Sequence, residues 1–200
     1  MGKAMSEPES PRSNSDETSA SHQLAGEKEI PALARRAVEI FVLERRVIES
    51  TPSLPPFLTE QSSACFVSIK TTSRELRGCI GTIVPEKNTL AEEIIANAIN
   101  AATRDPRFQP VSYSELPSLY YSVDVLSPPE PTRFEDLDPS IFGVVIVDSA
   151  GARRGLLLPD IEGIETAGQQ AKIAARKAGI TLDEPHTLYR FRVQRFGESA

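Results

Sequence analysis

The chain of 200 residues reads as an α+β fold with mostly antiparallel sheet and flanking helices. Three observations predict this. Short alternating apolar runs come in pairs around turn residues, as β-hairpins do. Two helical patterns each follow such a pair instead of alternating singly with strands. A longer helical stripe precedes them all. Hairpins therefore interrupt any simple βαβ progression, and one domain accommodates the length.

Residues 1–28 are rich in Ser, Glu, Pro and Asp, and residues 1–29 carry three basic against six acidic side chains. So few large apolar groups cannot offset the entropy of ordering, and we expect a disordered acidic, Ser-rich head ahead of a domain at 29–197. Pro31 suits a first helical turn. Leu33, Ala34, Ala37, Val38, Phe41, Val42 and Ile48 then recur at helical spacing, with a stop before Pro52. Cys65 to Ile69 alternates as a strand, Thr71 to Arg74 turns, and Glu75 to Val84 returns. Thr89 with Glu92 predicts a capping box. The helix it starts buries Leu90, Ile94, Ile95, Ala98, Ile99 and Ala102, and Pro106 forbids its continuation. Tyr120 to Leu126 alternates as a half-buried strand. Val144 to Val147 and Gly155 to Leu158 pair around Ser149-Ala150-Gly151. Thr166 to Ala178 is helical, closed by Gly179 in a left-handed cap. The alternation of Tyr189, Phe191 and Val193 predicts one last strand.

Composition excludes several classes of function. The net charge of −6 argues against general nucleic-acid binding. No apolar run is long enough to span a membrane, and the first residues lack the apolar core of a signal peptide, so we expect a cytoplasmic protein. The two cysteines, Cys65 and Cys79, form no disulfide framework. The two histidines, His22 and His186, lie outside every dense motif. They give poor material for a Cys-His dyad or a histidine-based metal site, so no metal and no cofactor is expected.

Two clusters remain. Leu76-Arg77-Gly78-Cys79-Ile80-Gly81-Thr82 sets a thiol between glycines and beside a cation. Gly78 and Gly81 would permit close approach to Cys79, and Arg77 would favour its thiolate. Against catalysis, free cysteine often serves as a small buried hydrophobe. The second cluster is Asn97-Ala98 followed by Arg104-Asp105-Pro106-Arg107-Phe108. Its arginines either bind an anion or simply end a helix. Arg153 sits at a later turn. Arg77, Arg104, Arg107 and Arg153 in an acidic domain suggest a local cationic recess, with Arg77 and at least one other beside Cys79.

These residues resemble the AMMECR-type domain family, whose bacterial branch is called AmmeMemoRadiSam system protein A. The resemblance rests on Glu75 to Thr82, Asn97-Ala98, Asp105 to Phe108, Glu115-Leu116-Pro117, Leu126 to Pro129, Arg153 to Pro159, Lys177-Ala178-Gly179 and Tyr189-Arg190-Phe191. It implies two α/β lobes around mixed sheet, with the clusters near one surface. It also implies association with a Memo-like protein and a radical SAM protein. It assigns no chemistry. The expected function is a regulatory module binding a small anionic ligand or a partner through Arg77, Gly78, Gly81, Asn97, Arg104, Asp105, Arg107 and Arg153. The alternative is an enzyme with Cys79 as nucleophile or redox thiol and Asp105 or Glu75 as base.

Overall fold

The computed structural model describes residues 14–198, with side chains from residue 28 onward. Two four-stranded antiparallel sheets divide the domain into two lobes. In the first, β1 (Cys65–Thr71) and β2 (Leu76–Gly81) form a hairpin, and β3 (Leu119–Leu126) and β8 (Val193–Gly197) complete the order β2-β1-β3-β8. In the second, β5 (Gly143–Asp148) and β6 (Arg154–Leu157) form the hairpin. β7 (His186–Phe191) and the two-residue β4 (Glu130–Pro131) complete the order β4-β7-β5-β6. The α+β expectation holds.

Helices cover one face of each sheet. α1 (Asn14–Glu44) and α3 (Leu90–Thr103) lie on the first, and α4 (Ala167–Ala178) on the second. The short α2 (Pro56–Thr59) buries Leu58. The alternation in β1 decides which side faces the helices. Cys65, Val67 and Ile69 are fully buried there, beneath Ala91, Ile94 and Ala98 of α3 and Ala34, Ala37 and Val38 of α1. The second lobe packs Val144, Ile146 and Leu188 against Ala174 and Ala175 of α4. A third cluster joins the lobes: Ala64 and Leu126 of the first meet Val145, Leu156 and Phe191 of the second.

Several local expectations hold. Thr166 and Gln169 cap α4 reciprocally, and Gly179 ends it at φ 65°. Other boundaries move. α1 reaches back to Asn14, so Pro31 lies inside it and not in its first turn. Residues 14–28 are thus helical in the backbone where the composition led us to expect no order, because a helix nucleated by a packed segment extends cheaply. The first packed residue is Ile30, and residues 1–13 of the expected head lie outside the described residues. The helix also stops earlier than Pro52, with Arg45 left-handed at φ 56°. Thr89 accepts the N–H of Glu92 at 3.2 Å, but Glu92 reaches back to the N–H of Asn88 and not of Thr89, so the box is half made.

The largest difference is at the end of the chain. Residues 189–194 are not one strand. The chain leaves the second sheet at Phe191 and enters the first at Val193. The outbound crossing after Leu126 runs beside it. Ser127 N–H donates to the Arg192 carbonyl at 2.9 Å, and Arg192 N–H donates to Ser127 Oγ at 2.9 Å. These two bonds zip both connections together.

Candidate functional site at the lobe seam

β2 is an edge strand, so its outer N–H and C=O groups have no neighbouring strand to meet. The segment after α3 supplies partners. Arg104 caps the helix, Pro106 blocks its continuation, and the buried Asp105 turns inward. One carboxylate oxygen, Oδ2, accepts the Cys79 N–H at 2.8 Å, and Arg107 Nη2 approaches the Cys79 carbonyl at 3.4 Å. Arg107 holds Asp105 from both sides, through Nε at 2.9 Å and Nη2 at 2.7 Å. These bonds, led by those from Arg107, hold the Asp105 carboxyl well below the usual carboxylate range. Asp105 is therefore a clamp. With both oxygens occupied and its proton affinity this low, it is a poor general base, and Glu75 is exposed and bonded to Ser73. The two carboxylates expected as bases do not serve that end.

Register sets the two thiols apart. Ser68 pairs with Cys79 and Phe66 with Gly81, so Cys79 lies on the face of the sheet away from α1 and α3, while Cys65 lies on the helix face. Ser68 Oγ stands 3.2 Å from Cys79 Sγ. Cys79 is partly exposed and Cys65 is fully buried. Burial pushes the Cys65 thiol up to about 12, against a favourable contact from Asn97.

Arg77 occupies a register shift between Ile69 and Lys70. There its guanidinium swings to Glu115 in the 3-10 turn Tyr113–Ser118, with Nε on Oε1 at 2.7 Å. That pair brings Glu115 down to about 2. Arg77 Nη1 is buried without a partner in the structure. Arg77 and Arg107 lie 5.9 and 5.4 Å from the centroid of the Phe108 ring between them.

The remaining expected site residues fall elsewhere, for physical reasons. Gly78 and Gly81 make room for the protein itself. A Cβ at Gly78 would fall 2.3 Å from the Ala101 carbonyl oxygen of α3, and one at Gly81 would strike the Phe66 ring at 2.3 Å. Asn97 is buried in the first core, donating to the Cys65 carbonyl at 3.1 Å. Arg104 faces a separate groove of about 820 Å³ between the end of α1 and α3, with Phe41, Val47, Ile95 and Ile99. Arg153 stays in the second lobe, paired with Asp148 at 3.0 Å and Glu184 at 2.5 Å. The four arginines thus do not share one recess: Arg77 and Arg107 flank Cys79, and the other two do not.

Sequence reasoning missed four residues. Ser68 was invisible because it reaches the thiol only through strand register. Glu93 looked like a solvated helix residue, yet it is buried and binds Thr82 Oγ1 and the N–H groups of Glu86 and Lys87, fixing the loop that follows β2. Glu115 belonged to a motif with no assigned role. Lys177 comes from the other lobe, where its Nζ donates to the Leu156 carbonyl at 3.3 Å. Beside Ser68, a polar cleft of about 410 Å³ runs over the outer face of the first sheet. Lys70, Ser122, Asp124 and Arg195 line it below, and Asp160 and Glu162 from the second lobe line it above. Among the described residues no helix is long and apolar enough to cross a membrane, and no three metal-ligating side chains converge.

A known structure shares this architecture. An uncharacterised protein of Pyrococcus horikoshii superposes with a TM-score of 0.79 at 31% identity, over 88% of this chain and 92% of that one. A Thermotoga maritima protein is 48% identical over 175 residues, which cover 86% of this chain and 99% of its own. A longer Clostridium acetobutylicum protein is 42% identical over 171 residues, and the match spans 35% of its length. The AMMECR1 family model matches residues 31–196, taking in both lobes and the seam with Cys79, and the chain belongs to that family.

Proposed function

We propose that this AMMECR1-family protein is a cytoplasmic regulatory module of the bacterial AmmeMemoRadiSam type, which binds a small ligand or partner at the seam around Cys79. The observation that carries this reading is the clamp on Cys79. Asp105 and Arg107 satisfy its backbone, and Ser68 touches its sulfur, so a partly exposed thiol is held rigidly with no competent base bonded to it. A rigid presented group suits recognition. The resemblance to the named bacterial system suggests a Memo-like protein and a radical SAM protein as partners.

The test is affinity capture from the native cell with two forms of the protein: unmodified, and capped at Cys79 with N-ethylmaleimide. The reading expects the unmodified form to retain the Memo-like or radical SAM protein and the capped form to lose it. Equal capture by both forms would overturn it.

A second reading, a thiol enzyme, is favoured by the Cys79–Ser68 contact alone. It requires that Cys79→Ser abolish turnover of a co-purifying small molecule while leaving protein capture intact.

A further inference from the structure

The seam has a second wall that the clamp does not use. Leu156 of β6 is packed in the cluster that joins the lobes, together with Phe66 of β1. Ser68 follows Phe66 on the same face of β1 and touches Cys79 Sγ. Lys177, in the last turn of α4, is bonded to the Leu156 carbonyl and so reaches the seam from the second lobe. Its charge is felt by its neighbours there: Lys177 interacts electrostatically with both Cys79 and Arg107, and Arg107 with Cys79. The three groups form a closed triangle drawn from three elements.

Charge balance at this triangle is incomplete. Arg107 is paired with Asp105, but it is half exposed and its Nη1 makes no hydrogen bond among the described residues. Lys177 meets no carboxylate among the described residues; its only bond is to a carbonyl. Partial burial, and then Arg107, push it toward the neutral amine, while an ionised Cys79 would oppose this. An unpaired ammonium beside a guanidinium is the arrangement that an incoming anion relieves.

We infer that the seam binds a small oxyanion, a carboxylate or a phosphate, between Lys177 and Arg107 and over the Cys79 thiol, with Lys177 as a binding residue supplied by the second lobe. This rests on the seam being the binding surface, and it names the ligand class that surface takes. It also replaces the dispersed Arg104 and Arg153 with a lysine as the second cation.

The experiment compares alkylation of Cys79 by iodoacetate, which carries a carboxylate, and by neutral iodoacetamide. Peptide mass spectrometry separates Cys79 from the buried Cys65. Each reaction forms an Sγ–C bond, releases iodide and passes the thiol proton to buffer. Relative to a small free thiol, the iodoacetate-to-iodoacetamide rate ratio at Cys79 should be raised about tenfold, the lower end of what charged clefts achieve. Lys177→Met should return it to within about twofold of the free thiol, Lys177→Arg should keep it, and Lys172→Met, on an exposed part of the same helix, should leave it raised. Added inorganic phosphate or added acetate should slow iodoacetate labelling, and whichever is effective identifies the anion. A ratio equal to that of the free thiol, a Lys177→Met ratio still raised, or slowing by neither anion would overturn the inference while leaving the seam reading intact. Failure of both reagents to label Cys79 would overturn both.

Discussion

In the first lobe the chain runs β1, β2, α3, β3, and in the second it runs β5, β6, α4, β7. In both sheets the second of these strands lies at the edge, the first beside it and the third beyond. Each edge strand contains an Arg-Gly pair, Arg77-Gly78 and Arg154-Gly155. Each glycine lies under its helix: a Cβ at Gly78 would sit 2.3 Å from the Ala101 oxygen, and one at Gly155 would sit 2.0 Å from the Ala174 oxygen. Even the next carbonyl is treated alike, with Arg107 approaching that of Cys79 and Lys177 donating to that of Leu156. The difference is in the side chain that follows the glycine. In the second lobe it is Leu156, buried in the joint between lobes; in the first it is Cys79, partly exposed. One plan serves packing twice and presents a reactive group once. The glycines therefore report helix–strand approach, and the thiol between the lobes is what calls for a functional explanation.

The glycines offer the strongest way to break this comparison. Gly78→Ala and Gly155→Ala should each destabilise the protein by about 3 kcal/mol, the upper part of the overpacking range, since the atom in the way is backbone and cannot rotate aside. Urea denaturation measures both. A large loss for one and none for the other would show that the two edge strands are not equivalent.

A smaller effect is expected at the clamp, which has no counterpart in the second lobe. Asp105→Asn keeps the shape but loses the charge that Arg107 faces, and should cost about 2 kcal/mol, the scale of a hydrogen bond to a charged group. It should also speed exchange of the Cys79 amide, which a purely electrostatic role for Asp105 would not do.

Acid separates the lobes further. Glu115 is depressed to about 2 by Arg77. A carboxyl lowered on folding contributes stability that is fully present above its unfolded value, near 4.3, and is lost as pH falls toward about 2. Glu115→Gln should thus flatten the stability profile between roughly pH 4.3 and 2, by about 1 kcal/mol or less because the group is partly exposed. An unchanged acid limb in that variant would place the acid sensitivity elsewhere.

The least effect is expected at the head. Deleting residues 1–28 should leave the melting temperature within about 2 °C, because the packed face of α1 begins at Ile30. A larger fall would mean that the upstream helix is docked on one of the lobes.

Much of the fold was legible in the chain because it depends on neighbours in sequence. Alternation marked the strands, Thr166 and Gly179 marked the ends of α4, and Pro106 marked the end of α3, all through local stereochemistry. The dense motifs likewise pointed to Cys79, Asp105 and Arg107. Other features need two distant segments to be placed together. The alternation through Tyr189, Phe191 and Val193 cannot show that the chain changes sheets at Arg192, because a strand's partners are not written in its own pattern. Composition around Arg104 and Arg153 shows charge but not direction, and both turn away from the thiol. Ser68 meets Cys79 through one choice of register, and a slip of one residue would have faced it into the core. Lys177 reaches the seam only because Leu156 packs between the lobes. Local torsion and burial patterns were determined by sequence alone; which faces met, and so which charges stand beside the thiol, was decided by tertiary packing, where contacts across many residues outweigh any local preference.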